Sequence, residues 1–475
     1  MEWKPSKSSA QTIHAQIVEW FIARITSGDF PLGMKCPSQR KLATQFGVNR
    51  STINTAMEEL KANGYLQTRV GSGTFIAQNP WSNMQLQPNW QQHIQASIHK
   101  PNLETIQLIN DYEKLPHMIR LGTGELAPHL LPIEQLQQTL ADITLTSQAL
   151  GYSEPQGSYV LRKNVCQHLQ KRGIHTTPDN VLIISGALQA FQLIALGLLE
   201  RGSVVFQQKA SYLNSIHPFQ SAGMQMYGVT IDDELMKTLQ HMKRTRNGLF
   251  SAIPTLDNPT GRIWTEEEKQ TVYDACRKLA IPILEDDVYG ELLFERSESK
   301  PLKAIDEAAH VLYVSSMSKT VSPGLRIGWI VGPTAVIRRL ADIKMQTDYG
   351  SSAISQEIVT HWLSSGMYEQ MLNKLRAELK RRAHVMETLL TQYFHDIATW
   401  TSPKGGFYIW LRFQQPIMTK PLFHAMLEQN IIIHPGYIYM PNDYHHLRMS
   451  FAYASDEQMT CGIQQLANTI EQLRT

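Results

Sequence analysis

The chain has 475 residues, 42% hydrophobic and 18% charged, with a formal net charge of +2. That length admits two or more domains at ~100–200 residues each, with a sizeable buried core, and the small net charge excludes a uniformly basic nucleic-acid binder. The four cysteines, Cys36, Cys166, Cys276 and Cys461, are too scattered for a metal-ligand pair or a disulfide framework.

Charge is unevenly placed. Residues 1–78 hold nine Lys/Arg against five Asp/Glu, so a mildly basic head precedes a slightly acidic body. The opening MEWKPSKSSAQ has no apolar signal-peptide core, and no run approaches the ~20 apolar residues of a membrane span. The expectation is a cytoplasmic protein with reduced thiols and no metal.

Residues 1–77 predict three helices and a hairpin. Ile13, Ile17, Trp20 and Phe21 recur at helical spacing, so the first helix buries one face. Gly28, Pro31 and Gly33 then turn the chain. Ser38 is placed to cap a second helix carrying Arg40, Lys41 and Leu42. Phe46-Gly47-Val48 makes a short turn, and Asn49 is placed to cap a third helix that starts Arg50-Ser51-Thr52 and ends at Gly64. Two short helices joined by a glycine-containing turn are the helix-turn-helix signature, and the polar start of the second meets bases and phosphates in the major groove. Tyr65–Arg69 and Thr74–Ile76 predict two strands joined by Val70-Gly71-Ser72-Gly73, which makes a wing.

This stretch, from GDFPLGMKCPSQRKLA through FGVNRSTI to GYLQTRVGSGTFI, resembles the GntR family of winged-helix regulators over about 70 residues. Cys36 stands where the family usually has Leu. The resemblance puts Arg40, Arg50, Ser51, Thr52, Arg69, Gly71 and Gly73 near double-stranded DNA.

Residues 78–115 are rich in Gln, Asn and His, with Pro80 and Pro88 breaking helical periodicity. They read as a linker, with one helix near Leu103–Tyr112. From 116 to 475 apolar strand-like runs alternate with amphipathic helices. The runs are VLIIS (181–185), SVVFQ (203–207), GLFSAI (248–253), IPILEDD (281–287) and VLYVSS (311–316). That alternation predicts an α/β body with a mainly parallel sheet.

The body's chemistry centres on SSMSKTVSPGLRIGW, residues 315–329, just after a predicted strand. A strand end holds Lys319 rigidly, as a Schiff-base lysine requires. Ser316, Ser318 and Arg326 are spaced to converge on a phosphate. Ser185-Gly186-Ala187-Leu188-Gln189 opens a helix whose N–H groups at Ala187 and Leu188 suit the same phosphate, though ordinary α/β turns look similar. Asn258, in an NPTG turn, and Tyr289 are placed to meet a phenolate oxygen. Glu285-Asp286-Asp287 ends the apolar run IPIL, and a carboxylate at such a strand end can pair with a protonated pyridine nitrogen. Tyr212 is a candidate to stack on the ring.

In this order these segments resemble the fold-type I aminotransferases, with a mainly parallel sheet and a smaller C-terminal α+β subdomain. The resemblance implies pyridoxal 5'-phosphate (PLP) on Lys319, with Asp286, Asn258, Tyr289, Tyr212, Ala187, Leu188, Ser316, Ser318 and Arg326 around it. It also implies that Tyr152, in GYSEPQG, reaches the phosphate of a partner subunit and that Arg448, in HLRMSFA, holds a substrate carboxylate. Gln208-Lys209-Ala210-Ser211-Tyr212 departs from the acidic residue and proline usual before the ring-stacking tyrosine.

A GntR head on an aminotransferase-like body resembles the MocR subfamily of bacterial regulators. That resemblance implies a homodimer that binds promoter DNA and senses an amino compound, or PLP itself, through aldimine chemistry at Lys319. The competing expectation is an active aminotransferase with an autoregulatory head.

Overall fold

The computed structural model describes residues 3–6, 11–27, 29–31, 33–69, 72–77, 101–143, 151–243, 247–295 and 299–474. The chain divides into two compact units, Met1–Ser97 and Ile98–Thr475.

The smaller unit has helices α1 (Ile13–Thr26), α2 (Gln39–Phe46) and α3 (Arg50–Ala62), then strands β1 (Leu66–Arg69) and β2 (Gly73–Ile76). The strands pair antiparallel from Leu66 opposite Ile76 to Arg69 opposite Gly73. Ile17, Phe21, Leu42, Phe46, Ile53 and Leu60 are buried together with Leu66 and Ile76, so both strands close on the helices. Trp3 stacks on Trp20 at 5.5 Å. Gly47, at φ 68°, ends α2 by donating its N–H to the Ala43 carbonyl, and this left-handed residue makes the turn into α3. Ser38 caps α2 as expected, accepting from the Lys41 N–H at 3.3 Å. Asn49 is a correction. It stands at the cap position of α3, but its exposed side chain makes no cap bond and only its backbone carbonyl receives the Thr52 and Ile53 N–H groups.

The larger unit is built on a seven-stranded sheet. Its order is β4 (Val181–Ile184), β10 (Gly328–Val331), β9 (Val311–Ser316), β8 (Ile283–Asp286), β7 (Gly248–Ala252), β5 (Val204–Gln208) and β6 (Gln225–Val229). Every pairing is parallel except those of β10, which runs antiparallel to β4 and β9. β4, β8, β9 and β10 are buried along their whole length, which explains their continuous apolar runs. Helices cover both faces.

A second, antiparallel sheet of order β11 (Ala398–Thr399), β12 (Tyr408–Phe413), β15 (His446–Ser450), β14 (His434–Pro435) forms the smaller C-terminal part. The helix Met367–Phe394 leads into it, and the helix Asp456–Arg474 follows it. β3 (Ile119–Arg120) pairs in parallel with β13 (Ile431–Ile432), tying the start of the body to this part.

The linker read over 78–115 needs correction at its C-terminal end. Helix α4 (Glu104–Tyr112) belongs to the larger unit, with Thr105, Ile106 and Ile109 buried. Thr105 Oγ lies 3.1 Å from the Tyr437 hydroxyl. The local composition is polar, yet two isoleucines three residues apart are enough to dock one helix face.

Candidate functional site

Strand ends place the chemistry. Ligands of open α/β sheets lie beyond the carboxyl ends of the strands. Here β4 leads to Gly186, β8 ends on Asp286, and β9 ends on Ser316, three residues before Lys319. A cavity of about 400 Å³ opens at these ends. Its lining includes Ala187, Leu188, Tyr212, Asn258, Asp286, Tyr289, Ser316, Ser318, Lys319, Arg326 and Arg448, so eleven residues singled out from sequence converge. Tyr152 is not in the lining. It is 82% exposed, with its ring 4.8 Å from that of Tyr349.

The run Glu285-Asp286-Asp287 gives three adjacent carboxylates three fates. Glu285 accepts the Leu302 and Lys303 N–H groups at 2.6 and 2.7 Å. Asp287 accepts from Tyr313 at 2.7 Å and from the Arg172 guanidinium. Asp286 faces the cavity and accepts only the Val288 N–H, at 3.3 Å. Burial pushes its carboxyl up to about 7, with Asp287 and Asp257 adding repulsion and Lys319 partly offsetting it. A buried carboxylate with so little neutralisation fits a cationic ring nitrogen.

At the other strand ends the geometry is a cup. Ser316 Oγ donates to Ile327 O at 3.0 Å and lies 2.9 Å from Ser318 Oγ. Arg326, in the left-handed region at φ 52°, donates to Ser185 O at 2.5 Å. Gly186 stands at φ 89°, which favours glycine, and a Cβ there would lie 2.4 Å from Arg326 Nη2 and push the guanidinium aside. Helix α5 (Ala187–Gly197) opens at this cup, with its first N–H groups free of intrahelical partners. The arrangement fits a phosphate.

Lys319 is half-buried and donates to Gly124 O at 2.6 Å. Tyr289 is buried with its hydroxyl 2.9 Å from that of Tyr408. Burial holds the Tyr289 phenol well above its ordinary value, and pushes that of Tyr212 up to about 12. Both stay protonated, able to donate.

Arg448 is 4% exposed. Nη1 donates to Asn258 Oδ1 at 2.7 Å, and Nη2 donates to Gly122 O at 2.6 Å and meets His434 Nδ1 at 3.1 Å. Its Nε–H is buried without a partner. A buried guanidinium with an unused donor suits an incoming carboxylate. With Oδ1 engaged by Arg448, the amide N–H groups of Asn258 are left to donate to other groups in the cavity.

Among the lining residues that sequence reasoning missed are Tyr408, Glu113, His434 and Tyr439. No motif marks them. Glu113 sat in the stretch read as linker.

In the smaller unit Arg40, Arg50, Ser51 and Gly73 are exposed and Thr52 is half-buried. Arg69 ends β1, and Gly71 lies outside the described residues. Lys35, not singled out from sequence, bridges to Phe75 of β2, and a Cβ on Gly73 would stand 2.9 Å from its Cε. It adds a cation beside the wing. Among the described residues no helix is long and apolar enough to cross a membrane, and no cluster could hold a metal ion.

Two family models match. "Aminotransferase class I and II" covers residues 116–466, and "Bacterial regulatory proteins, gntR family" covers 13–76. The HTH-type transcriptional regulator YisV of Bacillus subtilis (strain 168) is 44% identical, over 99% of both chains. The HTH-type transcriptional regulator NorG of Staphylococcus aureus (strain N315) is 36% identical, over 90% of this chain and 97% of its own. Among solved structures, kynurenine aminotransferase of Pyrococcus horikoshii, in complex with PMP, aligns at 27% identity and a TM-score of 0.74, covering 80% of this chain and 96% of that one. The α-aminoadipate aminotransferase LysN of Thermus thermophilus, complexed with N-(5'-phosphopyridoxyl)-L-leucine, aligns at 26% and 0.70, covering 80% and 97%. Pyridoxal phosphate is the cofactor of the larger unit.

Proposed function

Because the chain belongs to the HTH-type transcriptional regulators that join a GntR-family head to an aminotransferase class I and II body, we propose that it is a MocR-type, PLP-dependent sensor that binds promoter DNA and responds to an amino compound bearing a carboxylate. The observation that carries this reading is the convergence of Lys319, Asp286 and Arg326 with Arg448 on one cavity. When bound, PLP supplies an electrophilic aldehyde carbon and a conjugated ring that absorbs visible light.

The chain's own residues divide the work. Ser316, Ser318, Arg326 and the first N–H groups of α5 hold the phosphate. Asp286 would pair with the ring nitrogen, and Tyr289 and Asn258 would donate to the phenolate oxygen. Tyr212 covers the ring. Lys319 Nζ is the amine that would hold the cofactor's aldehyde carbon, and the same nitrogen would take up a proton on release. Arg448 grips the carboxylate of that amine. Exposed Tyr152 is assigned to the phosphate of the second subunit of a homodimer, which also suits operators with two half-sites. Arg40, Arg50, Ser51, Thr52, Arg69 and the wing glycines are assigned to DNA. Ligand binding needs to shift the balance between two DNA-binding states by only ~1–3 kcal/mol to act as a signal.

A spectral screen of amino compounds against the PLP-loaded protein tests the reading. Effectors are expected to change the visible absorbance and the affinity for DNA together. The eleven sequence-predicted residues that line the cavity support one alternative as well, an active aminotransferase. Steady conversion of an amino acid and a keto acid would favour the enzyme, and an absorbance change without turnover favours the sensor.

A further inference from the structure

The carboxylate grip of Arg448 is not a lone side chain. β14 and β15 pair with His434 directly opposite Arg448, so the sheet register itself sets ring against guanidinium. His434 is 8% exposed and lines the cavity. Its Nδ1 lies 3.1 Å from Arg448 Nη2 and 2.9 Å from the Tyr439 hydroxyl. A guanidinium has donors only, so Nδ1 carries the lone pair and the ring's proton sits on Nε2. That Nε2 has no hydrogen-bond partner and lies 3.8 Å from Glu113 Oε1. Glu113 is itself held, accepting from the Thr123 hydroxyl. The backbone makes room for the ring: a Cβ on Gly122 would stand 2.2 Å from His434 Cδ2, while Gly122 O takes the other bond from Arg448 Nη2.

We infer that His434, with Glu113 behind it, is a positioning residue that aims the Arg448 guanidinium at a ligand carboxylate. The inference rests on the reading of Arg448 as the carboxylate-binding residue. Nη2 has two protons, and Gly122 O and His434 Nδ1 take both. Nη1 gives one to Asn258, leaving the other Nη1 proton and the orphaned Nε–H for a ligand. The Glu113 carboxylate favours the tautomer with Nε2 protonated, which keeps Nδ1 an acceptor. A proton on Nδ1 would set N–H against N–H and turn the grip aside. Three groups face the ring: Glu113 after α4, Arg448 on β15 and Tyr439 in the turn after β14. Burial first, then the Arg448 charge, holds His434 below the ordinary histidine value, so Nδ1 is unprotonated at neutral pH.

The test uses the full-length PLP-loaded protein and two probes, L-alanine and ethylamine, its counterpart without the carboxylate. Each is titrated by visible absorbance. His434→Leu, which keeps the bulk and removes the acceptor, is expected to weaken alanine about tenfold relative to ethylamine. His434→Asn, which keeps an acceptor near Nδ1, is expected to restore the ratio to within about threefold of wild type. In wild type the ratio is expected to hold at neutral pH and fall as the pH drops below the ordinary histidine range. That limb is expected to vanish in His434→Asn, and the pH profile tests the inference even if His434→Leu does not fold. A ratio unmoved by either variant and flat in acid overturns the inference while leaving the sensor reading intact. If neither probe changes the absorbance of wild type, the inference is overturned for these α-amino carboxylates, and the sensor reading stands or falls by the wider screen of amino compounds.

Discussion

The cavity's two ends are built in different ways. The cofactor end comes from short contiguous strings at strand ends: Ser185–Leu188 after β4, Asp286 at the end of β8, and Ser316–Arg326 after β9. The end proposed to hold a ligand carboxylate is gathered from Glu113, Gly122, Asn258, His434, Tyr439 and Arg448, held by cross-strand register and hydrogen bonds between distant segments. One end is preorganised by local backbone and the other by topology. The consequence is separability: changes at one end should leave the other standing.

The largest expected effect is at the cofactor end. Lys319→Ala removes the only amine proposed to hold the aldehyde, and visible absorbance after incubation with PLP and gel filtration should vanish. Arg448→Leu comes next. Removing one member of a buried, hydrogen-bonded charge site costs about 2–5 kcal/mol, so affinity for carboxylate-bearing amino compounds should drop ~30-fold or more while PLP retention stays at the wild-type level. Loss of PLP in that variant would break the separation of the two ends.

A third prediction concerns pH. The Asp286 carboxyl rises on folding from 3.8 to about 7. Its raised value means the folded, cofactor-free protein keeps a proton that the unfolded chain sheds. The stability this contributes is present below 3.8 and is lost as pH rises to about 7. The Tm of the cofactor-free protein should therefore fall across that window. Glu285 and Asp257 are pushed the same way, to about 8 and about 7, so part of the slope persists in every variant. PLP, by neutralising Asp286, and Asp286→Asn, by removing the charge, should each flatten the Asp286 share. The smallest effect is expected from Tyr408→Phe. It removes one bond to Tyr289, worth about 1 kcal/mol, and should shift the cofactor absorbance with a change of a few-fold in PLP affinity.

The same contrast governs what could be read in advance. Lys319, Asp286 and Arg326 were legible because each sits in a string whose spacing has few other uses. The end of an apolar run marks Glu285, Asp286 and Asp287 alike, and only the family resemblance chose among them; in the structure the other two carboxylates accept from Leu302, Lys303, Arg172 and Tyr313. His434 and Glu113 were not legible. Their meaning depends on β14 lying beside β15 and on β3 beside β13, pairings of segments far apart in sequence. The linker reading failed at α4 for a related reason. The helix itself was legible near Leu103–Tyr112, but polar composition over 78–115 hid that its face of two isoleucines and a threonine docks on the larger unit, with a hydroxyl contact to Tyr437. The antiparallel β10 inside an otherwise parallel sheet had no local signature either. In the smaller unit the helix boundaries were readable from caps and glycines, while the side-chain cap at Asn49 was not made.

The most direct test of the central claim is operator affinity of the full-length, PLP-loaded protein, measured with and without an amino compound that changes its absorbance, in wild type and in Lys319→Ala. The account predicts that the compound shifts DNA affinity about fivefold or more in wild type and not at all in the variant. An equal shift in both proteins would contradict it.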